Sequence, residues 1–126
     1  EDTGIDTFAV AIGTAHGIYP KDMKPELRID ILKDITSQVD VPLVLHGGSS
    51  NKDEEIAAAI QNGICKINIS SDIKVAFYNK AREVLNANPG YREPLEIYPE
   101  AMEACGKVVE EKIRLFNSND KVKYYY

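Results

Sequence analysis

Two histidines occur in the 126 residues, and each closes an apolar run and is followed by glycine. His16 ends Phe8-Ala-Val-Ala-Ile-Gly-Thr-Ala-His16-Gly17, and His46 ends Val41-Pro-Leu-Val-Leu-His46-Gly47-Gly48-Ser49. A strand that ends in His-Gly sets an imidazole at its carboxyl end, beside backbone amides that no side chain shields. Neutral imidazole suits zinc, and catalytic zinc sites usually take three protein ligands with one position open. Two histidines supply two of the three. Taken singly, each also reads as a hydrogen-bonded loop residue. Their separation of 30 residues, about one strand–helix repeat, is what suggests a shared metal site beside an anion site.

The anion chemistry rests on glycines and hydroxyls. Gly17, Gly47, Gly48 and Ser49 offer amides that an anion can approach closely, because no Cβ stands in the way. Asn68-Ile-Ser70-Ser71-Asp72 leaves a third apolar run and opens a helix, so a phosphate there would meet the positive helix end. Ser70 or Ser71 acting only as a cap for that helix is the plainer alternative. Three such loops on one face favour the anion.

The elements that must position these groups follow from periodicity. Thr7–Ile12 is short, apolar and β-branched, as expected of a fully covered strand. From Pro25 a helix is expected, with Leu27, Ile31, Leu32, Ile35 and Val39 on one face. Val41–Leu45 is the second strand. Asn51 is placed to cap a helix with an acidic first turn (Asp53, Glu54, Glu55) that stops at Gly63. Ile64–Ile69 is the third strand. The next helix carries Ile73, Ala76, Phe77, Ala81, Val84 and Leu85 inward and ends at Asn88-Pro-Gly90. A last helix is expected from Pro99 to about Phe116, burying Met102, Cys105, Val109, Ile113 and Phe116, and Lys121–Tyr126 forms a tail. Alternating strands and helices mean parallel strands and an α/β class. Three such units suit the carboxyl-terminal portion of a (β/α)8 TIM barrel, whose whole needs about 250 residues. A doubly wound sheet is the alternative.

The balance of 15 basic against 20 acidic residues, with no basic run, argues against nucleic acid as a partner. No apolar stretch approaches the roughly 18 residues of a membrane span, so no membrane association is expected. Cys65 and Cys105 lack the dense spacing of a disulfide scaffold and read as buried free thiols in a reducing cytoplasm. Glu1-Asp-Thr-Gly-Ile-Asp6 contains no Met and leads straight into a strand, as expected of a piece of a longer chain.

Four segments together resemble one family. Thr3-Gly-Ile-Asp6, Ala9-Val-Ala-Ile-Gly-Thr-Ala-His16-Gly17, Val41-Pro-Leu-Val-Leu-His46-Gly47-Gly48-Ser49 and Lys66-Ile-Asn68-Ile-Ser-Ser71-Asp72 look, in order and spacing, like the class II, metal-dependent ketose-bisphosphate aldolases. The resemblance implies a TIM barrel of which residues 1–117 are the carboxyl-terminal part and 118–126 a tail. It implies reversible cleavage of fructose or tagatose 1,6-bisphosphate into dihydroxyacetone phosphate and glyceraldehyde 3-phosphate. His16 and His46 would be two of three zinc ligands, with cobalt or manganese also suited to the set. Gly17, Gly47, Gly48 and Ser49 would hold the phosphate of dihydroxyacetone phosphate and help hold a monovalent cation. Asn68, Ser70 and Ser71 would complete the substrate site. The third histidine and the catalytic aspartate of the family have no counterpart here, so the chain alone is expected to be inactive. Arg92 lies near the place where some members carry an arginine that reaches a neighbouring subunit's phosphate, although its flanks differ. A cytoplasmic homo-oligomer is expected. The rival function is a non-catalytic phosphate- or metal-binding half-barrel that serves as an interaction module, its strand edges covered by self-association.

Overall fold

The protein is represented by a computed structural model, which describes residues 3–14 and 26–126. It forms two compact units, Glu1–Ile69 and Ser70–Tyr126, described in turn.

The first unit is built on a parallel sheet of β1 (Phe8–Ala9), β2 (Leu43–Leu45) and β3 (Ile64–Ile67), in that order. β2 is central, and all three of its residues are buried. Its backbone pairing with the first strand runs past the short β1: Phe8 N–H donates to Pro42 O at 3.0 Å and Val10 N–H to Val44 O at 3.2 Å. The expected fully covered first strand is instead one-sided. Val10 and Ile12 are buried, while Ala9 and Ala11 beside them are exposed. The alternation follows from the pleat, which sends successive side chains to opposite faces, and only one face meets the core.

Two helices pack on that core. The first, α1 (Ile29–Thr36), is shorter than its hydrophobic pattern suggests: Leu27 is buried just ahead of it, and Leu32 is fully enclosed. The second, α2 (Asp53–Gln61), buries Ile56 and Ala59 and has the expected acidic first turn. Its cap differs from expectation. Lys52, not Asn51, occupies the capping position, and its N–H donates to the Glu55 carboxylate at 3.3 Å. Asn51 stands one residue outside, with an extended backbone. The helix ends as the sequence suggests, with Gly63 at φ 111° just beyond it. Thr36 Oγ1 lies 3.0 Å from Asn62 O, so the end of α1 is tied to the end of α2.

The second unit is a helical hairpin. α3 (Ser71–Ala87) ends at Asn88, whose side-chain amide donates to Val84 O at 3.0 Å. α4 (Pro94–Leu115) begins five residues earlier than expected. Pro94 fits the first helical turn, where a missing N–H costs nothing, and Pro99 lies inside the helix rather than opening it. The two helices run antiparallel: Asp72 pairs with Lys112 at 3.1 Å, Cys105 Sγ meets Ile73 O at 3.5 Å, and the Phe77 and Tyr98 rings are 5.5 Å apart. Ala81, Val84 and Ala101 are buried. Met102, Val109 and Ile113, expected inside, are exposed at 65%, 41% and 40%. A short 3-10 turn, Val122–Tyr124, lies near the end of the chain. No helix among the described residues is long and apolar enough to cross a membrane.

Candidate functional site

The carboxyl ends of β2 and β3 bring two of the expected site residues together. Leu45 pairs with Ile67, and Asn68 N–H then donates to Leu45 O at 3.1 Å. This sets His46 and Asn68 side by side, with Asn68 Nδ2 3.4 Å from His46 Nε2. His46 is half-buried. On the other side of the carboxamide, the Lys66 ammonium donates to Asn68 Oδ1 at 2.6 Å.

That neighbourhood depends on an irregularity in β3. Leu43 pairs with Ile64, yet Val44 pairs with Lys66, so Cys65 is an extra, unpaired residue. A bulge of this kind shifts every later residue by one position. Without it, Ile67 rather than Asn68 would stand beside His46. Cys65 itself is exposed and Cys105 half-buried, so the expectation of two buried thiols holds only in part; both are free.

The loop after His46 turns sharply. Gly47 has φ 68° and ψ 26°, a left-handed conformation that glycine adopts without steric cost, and it leads into a 3-10 turn over Gly48–Ser50. Gly48 is glycine for another reason. A Cβ there would stand 2.9 Å from Ile67 Cγ2, 3.5 Å from Ile69 Cδ1 and 3.7 Å from Ile56 Cδ1. The turn therefore lies flat on β3 and α2, with Ser49 half-buried. The positive end of α2 already has Asp53, Glu54 and Glu55 around it.

This strand-end arrangement belongs to a chain that matches the model of the class-II fructose-bisphosphate aldolases over residues 1–121. The chain belongs to that family. It is 42% identical over 113 residues to the D-tagatose-1,6-bisphosphate aldolase subunit GatY of Klebsiella oxytoca, covering 90% of this chain and 39% of that protein. It is 39% identical over 121 residues to the sulfofructosephosphate aldolase of Alkalicoccus urumqiensis, covering 96% of this chain and 42% of that one. Among solved structures, the YdjI aldolase from Escherichia coli K12 superposes with a TM-score of 0.75 at 36% identity, over 94% of this chain and 41% of its own. The chain thus spans about two-fifths of the length of these relatives. The α/β class and parallel order read from the sequence are those of the structure.

Of the remaining residues expected at the site, His16 and Gly17 lie outside the described residues. Ser70 and Ser71 are at the start of the second unit: Ser70 precedes α3 and makes no side-chain cap bond, and Ser71 is its first residue. A mere capping role for Ser70 is therefore absent from the structure. Asp72, in the same turn, pairs with Lys112 rather than turning back on the helix amides. Arg92 donates to the carbonyls of Pro89 and Tyr91 at 2.7 and 2.8 Å. Among the described residues, no three His, Cys, Asp or Glu side chains gather as a metal-binding group. Lys66, which bonds Asn68, is a partner to which the sequence reading assigns no role. Its signal was a single charge in the apolar run Ile64–Ile69, two residues before Asn68 and so on the same strand face.

Proposed function

We propose that this chain supplies the metal- and phosphate-binding part of a zinc-dependent aldolase that reversibly cleaves a ketose 1,6-bisphosphate into dihydroxyacetone phosphate and glyceraldehyde 3-phosphate. The observation that carries the reading is the juxtaposition of His46 and Asn68 at adjoining strand ends, within a chain matched to the aldolase family over residues 1–121. The names of the two relatives both specify phosphorylated ketoses, which supports that substrate class.

The donor chemistry fits zinc. His46 is a half-buried imidazole whose Nε2 faces a neutral carboxamide, and neutral imidazole is a common zinc ligand. His16 would be the second ligand, and a third would come from outside this chain. Bound there, zinc would supply Lewis acidity to a carbonyl oxygen, an effect of several kcal/mol on developing negative charge. Cobalt or manganese could take its place, and a monovalent cation would accompany the phosphate. The amides of Gly17, Gly47 and Gly48 and the Ser49 hydroxyl would bind the phosphate of dihydroxyacetone phosphate, with Asn68, Ser70 and Ser71 donating to substrate oxygens.

Residues 1–117 would then form the carboxyl-terminal part of a barrel, with 118–126 as a tail, in a cytoplasmic homo-oligomer. Carbon–carbon cleavage also requires a base within hydrogen-bond reach of the carbon-4 hydroxyl. On this reading that base is an aspartate outside this chain, so the chain alone holds ligands but does not turn over. The test is an aldol-cleavage assay with fructose and tagatose 1,6-bisphosphate and added zinc. No rate above a zinc-only blank is expected; cleavage by these residues alone would overturn the assignment of roles.

A further inference from the structure

Lys66 is the only charged side chain in β3, and it touches the carboxamide that faces His46. An ammonium carries three donors and no acceptor, so it can face only the oxygen of that carboxamide. This decides an orientation that the shape of an amide leaves open, since its two ends are nearly alike. With Oδ1 held at 2.6 Å by Lys66, Nδ2 and its hydrogens turn to His46. A neutral ring presents one N–H and one bare nitrogen. A ring whose Nε2 accepts from that amide keeps its lone pair there and carries its hydrogen on Nδ1. The 3.4 Å separation is long for a hydrogen bond and adds little by itself. The orientation comes from the shorter, charge-assisted bond to Lys66.

We propose that Lys66 is a positioning residue: by fixing Asn68 Oδ1 it presents amide hydrogens, and not the amide oxygen, to His46 Nε2 and to oxygen ligands arriving at the strand ends. That this is the substrate site rests on the function proposed above; the orientation itself does not. Removing the ammonium frees the carboxamide to turn over, and its oxygen then draws the ring hydrogen to Nε2.

Proton–nitrogen correlation NMR of the histidine rings tests this in the metal-free protein, at a pH where the ring is neutral. His46 is assigned by comparison with His16→Gln. The wild type should show a bare Nε2. Lys66→Met should shift the pattern toward a hydrogen on Nε2, and Lys66→Arg, which also only donates, should restore it. Lys66 is exposed, so the amide spectrum should otherwise be preserved. If Lys66→Met does not fold, Asn68→Asp serves instead, because an oxygen at both ends must move the hydrogen to Nε2. A wild-type ring already protonated on Nε2 would overturn the proposal. So would a pattern unmoved by Lys66→Met or by Asn68→Asp, or one moved equally by Lys66→Arg. Separate zinc-binding measurements bear on the aldolase reading, so failure of one claim is distinguishable from failure of the other.

Discussion

Replacing Gly48 by alanine isolates what that glycine is for. The new methyl would stand 2.9 Å from Ile67 Cγ2, closer than real Cβ contacts allow, with Ile69 and Ile56 at 3.5 and 3.7 Å behind it. Ile67 has little room to yield, because its strand is pinned by the Leu45–Ile67 pairing and the Asn68 N–H bond to Leu45 O. Overpacking of this kind costs about 1–3 kcal/mol. For a chain of this size that is a fall in melting temperature of roughly 4–12 °C, at about 4 °C per kcal/mol. Gly106→Ala is the matched control. Gly106 lies in the middle of α4, and a Cβ there meets nothing within 4 Å. It should gain about 0.5–1 kcal/mol from helix propensity. Thermal and urea unfolding should therefore move in opposite directions for the two variants. Gly48→Ala within about 0.5 kcal/mol of wild type would refute the packing argument. If such a neutral variant also lost phosphate binding, close approach of an anion, rather than packing, would be the reason for the glycine.

Two further predictions follow from single side chains. The Asn51 carboxamide is buried at both its nitrogen and its oxygen, with no hydrogen-bond partner among the described residues. Asn51→Leu, similar in volume, should be neutral or stabilising by up to about 1 kcal/mol in urea titration; a loss of more than that would show that the amide is paired in solution. The Glu96 carboxylate accepts the backbone N–H groups of Glu93 and Arg92 at the start of α4, and these bonds hold its pKa below the ordinary 4.5. A lowered carboxylate pKa stabilises the fold above the ordinary value and loses that contribution as pH falls through the lowered one. The stability difference between wild type and Glu96→Gln should accordingly shrink on acidification below about 4.5. A difference that stays constant or grows would contradict the bonding described.

What the sequence revealed and what it hid divide along a physical line. Hydrophobic period and terminators depend on near neighbours in the chain, and they placed all three strands, the acidic start of α2 and the stop at Gly63. The same reasoning put His46 and Asn68 at the ends of neighbouring strands. It could not place them opposite each other, because that depends on the unpaired Cys65, and a bulge is defined only against a partner strand. Nor could it tell which proline opens the last helix, since Pro94 and Pro99 are both acceptable by local rules. Periodicity names a helix face without saying what covers it, hence the exposed Met102, Val109 and Ile113. Gly48 looked like an anion-binding glycine, while its immediate constraint is Ile67.

The aldolase reading stands or falls with His46 as a metal ligand. The decisive measurement is zinc content after equilibrium dialysis, comparing the polypeptide that carries these residues with its His46→Ala variant. The account predicts about one zinc per chain in the wild type and a loss of affinity of at least tenfold in the variant, the scale expected when a ligand or its close support is removed. Zinc bound equally well by His46→Ala, or not bound by the wild type, would contradict it.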